Sequence, residues 1–426
     1  MESKHPETAS SAFIEQNCSE CGKPLQISVQ FAGQFGKCPH CGGMVLANHA
    51  PIRRPAHAQK QTARLVALDV LRGFDMFWII GADSISQALQ KSTGGDTAPG
   101  FIKAIARQLE HVRWEWFRFY DLIFPLFIFM VGMSAVFSLT KILARDGKPA
   151  AMKRTLRRAV LLFLLGVLYD MIDTAYADGV AKIFGENLLC GVLQRIALCY
   201  LATGLLLCGL SWRGLLAIFA GILITYWAVL TFIPAPGEAE VVFERGRNII
   251  HYIDQRIPPY GGTDPESLMT TFPAIATCIF GALIAFFVRE SGFSEDKQAG
   301  SLLLCGLAMV ILGYLWGMQM PIIKRLWTPS YVFVAGGYSI MLLGLFIWII
   351  DVMEWEGWVA PFLWIGANSI SVYFFDMVVN PTAWGKILIS GESLTPGIEA
   401  VLAVISLALS LAFVHILYRK QIFIRV

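Results

Sequence analysis

The chain has 426 residues, 56% of them hydrophobic and only 15% charged, with a formal net charge of +3. Soluble domains sit near ~45–50% apolar and ~25% charged, so these charges are too few to cover the surfaces of two or three soluble domains. The small net charge points to no polyanionic partner, which sets nucleic acid aside. A mean hydropathy of +0.58 instead predicts an all-α polytopic membrane protein whose apolar body begins near Leu65.

The N-terminal residues Met1 to Gln16 are polar and lack the apolar core of a secretion signal. An unprocessed N-terminus on the cytoplasmic side is expected. Two Cys-x-x-Cys knuckles follow, Cys18/Cys21 and Cys38/Cys41, each trailed by glycine. Pairs about 15–20 residues apart have the spacing of a zinc ribbon. Each knuckle turns two thiolates toward one point, and two knuckles complete a closed tetrahedral shell, so the metal would be structural. Iron in a rubredoxin-like site is the alternative, and a reducing cytoplasm argues against disulfides. The run LQISVQF (25–31) alternates like a strand. Residues 1–46 are therefore expected to form a small Cys₄ module. Residues 47–63, with two prolines and no periodicity, form a linker to a membrane domain at 64–426.

Runs of ~20 apolar residues mark spanning helices. Ten are expected, at 65–83, 120–140, 155–172, 187–209, 212–233, 268–288, 300–319, 330–350, 358–378 and 397–418. The densest basic cluster, Lys141 to Arg158, follows the second run, and Arg419, Lys420 and Arg425 follow the last. By the positive-inside rule both sides are cytoplasmic, with both termini there. Long loops at 84–119, 234–267 and 379–396 then face outward. The five cysteines scattered through the apolar runs read as small buried hydrophobes.

Polar residues inside the apolar runs each need a reason. Asp69 and Arg72 are three apart on one helix face and can pair. Gln194 and Arg195 lie about two turns into the fourth run, and Asn368 and Ser369 near the middle of the ninth. Inter-helix hydrogen bonding is one explanation; for Arg195 a lined cavity is favoured. His111 and His251 are the outer-side histidines able to transfer protons near neutral pH, although an isolated loop histidine is more often structural. No nucleophile elbow, phosphate-binding loop or paired-carboxylate motif is present.

Several blocks carry a resemblance. They are RLVALDVLRGF (64–74), His111 and Trp114 ahead of YDLIFPLFIFMVG (120–132), GVLQRIALCY (191–200), YID (252–254), DPESLMTT (264–271), LWTPSYV (326–332), GANSISVY (366–373) and HILYRKQIF (415–423). In order and spacing the stretch from Arg64 to Val426 resembles the heparan-α-glucosaminide N-acetyltransferase family and its bacterial relatives. The ribbon lies outside the resemblance. The resemblance implies an enzyme taking the acetyl group of acetyl-CoA on the cytoplasmic side and delivering it to an amino sugar or related glycan outside. It also implies that His111, which matches an essential histidine of the family's first outer loop, is the general base or an acetyl-carrying nucleophile. Where the family has asparagine near the outer end of the first span, this chain has Asp83, a carboxylate able to raise the basicity of His111. Asn368, Ser369 or Arg195 would donate to the oxyanion. The cofactor contacts are expected from Arg72, Gln194, Arg195, Arg157 and Arg158. A bacterial cytoplasmic membrane and a homodimer are further expectations. A secondary transporter for a polar small molecule is the competing class, and a membrane sensor whose ribbon binds a partner is a third.

Overall fold

The structure is a computed structural model describing residues 13–18, 21–28, 35–46, 66–81, 85, 100–178, 191–257, 268–379 and 396–423. It divides into two compact units, Met1–Ala63 and Arg64–Val426.

The first unit holds two antiparallel hairpins, β1 (Phe13–Asn17) with β2 (Pro24–Ser28) and β3 (Phe35–Lys37) with β4 (Met44–Leu46). The strand expected between the knuckles is β2, and it pairs back onto β1, so each knuckle is the turn of its own hairpin. Both turns close alike. Gly22 and Gly42 take φ of 70° and 77°, a left-handed conformation cheap only for glycine. Their amides donate to the carbonyls of Cys18 and Cys38.

The second unit is a helix bundle. In chain order it contains α1 (66–81), α2 (Gly100–Gln108), α3 (Phe119–Asp178), α4 (Val192–Gly209), α5 (Trp212–Phe232), α6 (Ile249–Asp254), α7 (Thr271–Glu290), α8 (Glu295–Gly317), α9 (Pro329–Ile347), α10 (Val359–Ala367), α11 (Ser369–Val379) and α12 (Pro396–Arg419). Straight, the 60 residues of α3 would reach roughly 90 Å. Gly147, at φ 80° and ψ 178°, breaks the run, and Pro149 then sits in the first turn of the second arm, where its missing N–H costs nothing. The arms fold together. Leu139 of the first and Thr155 of the second both crowd the spot a Cβ on Gly204 would occupy.

Among the described residues six helices are long and apolar enough to cross a membrane, α3 counting as one, or seven if α10 and α11 form a single bent span. The ninth expected run is not one straight helix. It bends by 87° between α10 and α11, at Asn368, whose backbone (φ −130°, ψ 35°) leaves the helical region. Hydropathy continues through the bend, so apolar content alone does not reveal it.

Small residues let backbones meet where cavity-forming helices cross, the usual device in membrane bundles. A Cβ on Gly132 of α3 would overlap the Cys278 carbonyl of α7, and one on Gly281 would overlap that of Phe129. Likewise Gly73 of α1 lies on the Phe362 carbonyl, and Gly366 of α10 on that of Asp69. These two reciprocal contacts lock α3 to α7 and α1 to α10.

Candidate functional site

A cavity of about 900 Å³ opens between α1, both arms of α3, α4 and the α10–α11 break. One face of the first arm lines it at helical spacing, through Tyr120, Ile123, Phe127, Val131, Ser134, Ser138, Lys141 and Arg145. At 1.5 Å per residue, Tyr120 to Arg145 spans roughly 37 Å, comparable to a hydrocarbon core of ~30 Å. The two ends differ chemically. His111 and Lys324 stand at the Tyr120 end, whereas Lys141, Arg145, Arg154 and Arg158 stand at the other. Arg72 joins the wall between them. Its Nη1 donates to Asp69 at 2.8 Å and its Nη2 to the Ser134 hydroxyl at 2.8 Å, so the pairing expected from the three-residue spacing is present.

His111 lies in the turn between α2 and α3, stacked on Tyr120 with ring centroids 4.5 Å apart. Its Nδ1 is 2.8 Å from Asp121 Oδ1. A carboxylate only accepts, so Nδ1 carries the shared proton and Nε2 keeps its lone pair, an assignment from the hydrogen-bond network. Asp121 is fully buried, while 53% of the His111 side chain is exposed. The carboxylate is held from several directions. Its Oδ2 accepts from the amides of Val112 (3.3 Å) and Arg118 (3.2 Å), and Tyr331 fixes the backbone of Asp121 by donating to its main-chain carbonyl at 2.8 Å. Lys324 Nζ stands 3.6 Å from Asp121 Oδ1, 3.2 Å from His111 Nδ1 and 3.5 Å from Nε2. The arrangement is a buried acid orienting a more open imidazole, as in the base–orienter pairs of acyl-transfer enzymes.

The residues expected from sequence divide sharply. His111, Arg72, Arg158 and Ser369 line the cavity. Arg157 does not; it is exposed on the second arm, because positions 154, 158 and 162 share the cavity face and 157 falls off it. Arg154 takes that place. Gln194 also lies off the cavity lining, bonding Asp170 at 2.5 Å and tying α4 to the second arm. Arg195 is buried beside it, its guanidinium over the edge-on pair of Phe124 (5.8 Å) and Trp327 (5.4 Å), and donates to Thr270 at 2.7 Å. The inter-helix role therefore describes its contacts better than the cavity role. Asn368 is buried at the helix bend next to the lining residue Ser369. Asp83 lies outside the described residues, and the carboxylate found against His111 is Asp121. Asp121 belongs to the 120–132 block that carries the resemblance, which assigns it no role, and Lys324 was not singled out by sequence. An aspartate opening an apolar run was a visible signal for the first, and a lysine in a loop assigned to the outer side was one for the second.

A second cluster covers Tyr226, Leu230, Ile250, Met320, Ile323 and Leu326 with the loop around α6. His251 of α6 is buried there. Its Nδ1 accepts from the Gly246 amide at 2.8 Å, and Trp114 meets it edge-on at 5.8 Å. Burial, with Arg245 and Arg325 nearby, pushes its pKa down to about 4.

In the first unit the four sulfurs of Cys18, Cys21, Cys38 and Cys41 all lie within 4.8 Å of one another. Cys18 and Cys41 are 3.7 Å apart, and Cys21 and Cys38 3.9 Å. A tetrahedron with ~2.3 Å metal–sulfur bonds has edges of ~3.8 Å, so the donor set fits a four-thiolate metal and no disulfide joins it.

The chain matches two curated proteins named heparan-alpha-glucosaminide N-acetyltransferase. The mouse protein (Mus musculus) is 24% identical over 376 residues, covering 74% of this chain and 56% of the relative. The human protein (Homo sapiens) is 26% identical over 380 residues, covering 74% and 55%. The chain thus spans about half the length of these relatives. No family model matches it. The resemblance read from the sequence blocks and these two similarities name the same family.

The state of His251 sets a pH dependence. A histidine near 4 when folded and near ~6.5 when unfolded binds fewer protons in the native state between those values. Its stabilising contribution is complete above the unfolded value and lost as pH falls through the folded one. The melting temperature of the purified protein, followed by tryptophan fluorescence, is therefore expected to drop between about pH 6.5 and pH 4, and to drop less in His251→Gln.

Proposed function

We propose that the chain is a membrane acetyltransferase that uses acetyl-CoA to acetylate an amino sugar or related glycan across the bilayer. The observation that carries this reading is one cavity that has a cationic end and a His111–Asp121 end. Ten passes with both termini cytoplasmic put the cationic end inside, in a bacterial cytoplasmic membrane. The names of the two relatives support the same activity.

Acyl transfer to an amine needs three things: acceptor deprotonation, oxyanion stabilisation and exclusion of water. Nε2 of His111 is the general base, and Asp121 fixes the tautomer that makes it one. Arg158, with Arg154, holds phosphate oxygens of CoA through charge-assisted hydrogen bonds, while the pantetheine arm follows the wall from Ser138 to Ile123, passing Arg72. Ser369, beside the Asn368 bend, faces the same channel as a donor. Cys18, Cys21, Cys38 and Cys41 would hold one structural zinc ion, which would stabilise the two hairpins and take no part in the chemistry.

A transporter reading has one feature in its favour, the bent α10–α11 pair, since broken helices build midplane sites in transporters. Binding of acetyl-CoA and formation of an acetylated product separate the two.

Membranes carrying the protein, supplied with acetyl-CoA and an amino sugar, are expected to yield acetylated sugar. His111→Ala should lose activity by ~10³-fold and Asp121→Asn by ~10²-fold, within the range for general-base catalysis. Arg158→Glu should raise KM for acetyl-CoA by ~10-fold or more, as expected for losing a charge-assisted phosphate contact. Full activity in His111→Ala would remove the base. Elemental analysis should find one zinc per chain, lost in Cys38→Ser; an iron content with red colour would reassign the metal.

A further inference from the structure

Lys324 occupies a position that the general-base scheme leaves unused. It comes from the turn between α8 and α9, 213 residues from His111 in sequence, yet its Nζ lies 3.2 Å from Nδ1 and 3.5 Å from Nε2 of that ring. The Nδ1 proton is committed to Asp121 at 2.8 Å. The ammonium therefore does not donate to Nδ1; it is drawn there by the Asp121 carboxylate 3.6 Å away. Only 17% of its side chain is exposed, and it lines the cavity beside His111. The segment that carries it is fixed. The Thr328 hydroxyl accepts from the Ile323 amide at 3.1 Å and donates to the Pro321 carbonyl at 3.0 Å, and the Trp116 amide donates to Ile322 at 3.0 Å. A cation is thus anchored within one hydrogen-bond length of the atom assigned as base. With Nδ1 protonated, the 3.5 Å contact has the ammonium donating to the Nε2 lone pair, and an acyl oxygen arriving beside the ring would take over that donor and release Nε2 to act as base.

We infer that Lys324 is a catalytic residue whose ammonium hydrogen-bonds the acetyl carbonyl oxygen and stabilises the oxyanion formed on it. The inference rests on the acetyltransferase reading above. The acceptor nitrogen forms a bond to the carbonyl carbon, and the carbonyl π pair moves onto the oxygen held by Lys324. Nε2 of His111 takes the proton from the acceptor nitrogen. The pair then returns to re-form the C=O bond, the C–S bond breaks, and the departing thiolate takes the proton from the imidazolium. Atoms and charge balance with no further reactant. Lys324 keeps its own protons throughout, and Asp121 holds both the base and the electrophile at the same end of the cavity.

The test uses the purified full-length chain with acetyl-CoA carrying ¹³C at the acetyl carbonyl and no acceptor. The labelled-minus-unlabelled infrared spectrum isolates the bound carbonyl stretch. In the wild type that band is expected below the frequency of free acetyl-CoA. Lys324→Met should return it to the free value, and Lys324→Arg should keep most of the lowering. In turnover, Lys324→Met should reduce kcat by ~10²-fold, the usual loss for one oxyanion donor, with KM for acetyl-CoA nearly unchanged. A wild type that transfers acetyl groups but shows an unshifted band overturns the role of Lys324, and this holds even if Lys324→Met does not fold. The same lowered band in Lys324→Met overturns it too. A wild type with neither a bound band nor acetyl transfer instead removes the acetyltransferase reading.

Discussion

Arg72 sits between Asp69 and Ser134, at 2.8 Å from each, and the cavity depends on that pairing. A guanidinium within an apolar bundle must find acceptors in the protein or in water. Here one acceptor comes from its own helix and one from the first arm of α3, so satisfying the charge also ties the two helices together. The glycine contacts act at the same place. Gly366 lies on the carbonyl of Asp69 and Gly73 on that of Phe362, which brings the bent α10–α11 pair against α1 beside the arginine. A polar wall results in the middle of the bundle. Without it, the stretch between the cationic end and the histidine end would close over with apolar side chains, and two separate surface sites would remain.

The two ends suit two parts of one molecule. In the proposed reading Lys141, Arg145, Arg154 and Arg158 would meet phosphate, the apolar side chains interrupted by Arg72 and Ser134 would meet a flexible thin chain, and the imidazole with its buried carboxylate would meet the reactive group. Each element is ordinary alone. A basic cluster follows from the positive-inside bias, and a histidine in a loop is commonly structural. Their placement around one cavity, whose first-arm face runs roughly 37 Å from Tyr120 to Arg145 at 1.5 Å per residue, connects them.

Much of this was legible in the sequence where the cause is local. Asp69 and Arg72 pair because three-residue spacing puts them on one face, and the two knuckles converge because each Cys-x-x-Cys turn carries its own glycine. The position of Arg158 relative to Arg157 also follows from helical periodicity, once the face is known. Long-range placements were not legible. Asp121 and Lys324 meet His111 from 10 and 213 positions away, and nothing in composition links a loop lysine to that ring. Arg195 was marked as needing partners, but its depth could not distinguish a cavity from contact with the Phe124–Trp327 pair and Thr270. The bend at Asn368 was hidden because the run around it is apolar on average despite Asn368 and Ser369, and hydropathy measures environment rather than backbone direction.

The proposed path of an acyl group from one face of the membrane to the other makes a demand that a one-sided enzyme does not. The direct measurement is acetyl transfer in sealed proteoliposomes of uniform orientation, with acetyl-CoA confined to the side of Arg145 and Arg158 and the amino sugar confined to the side of His111. Acetylated sugar is expected with the substrates on opposite sides, and none when both are supplied only on the cationic side. Product formed only when both substrates share one side would contradict a through-membrane path.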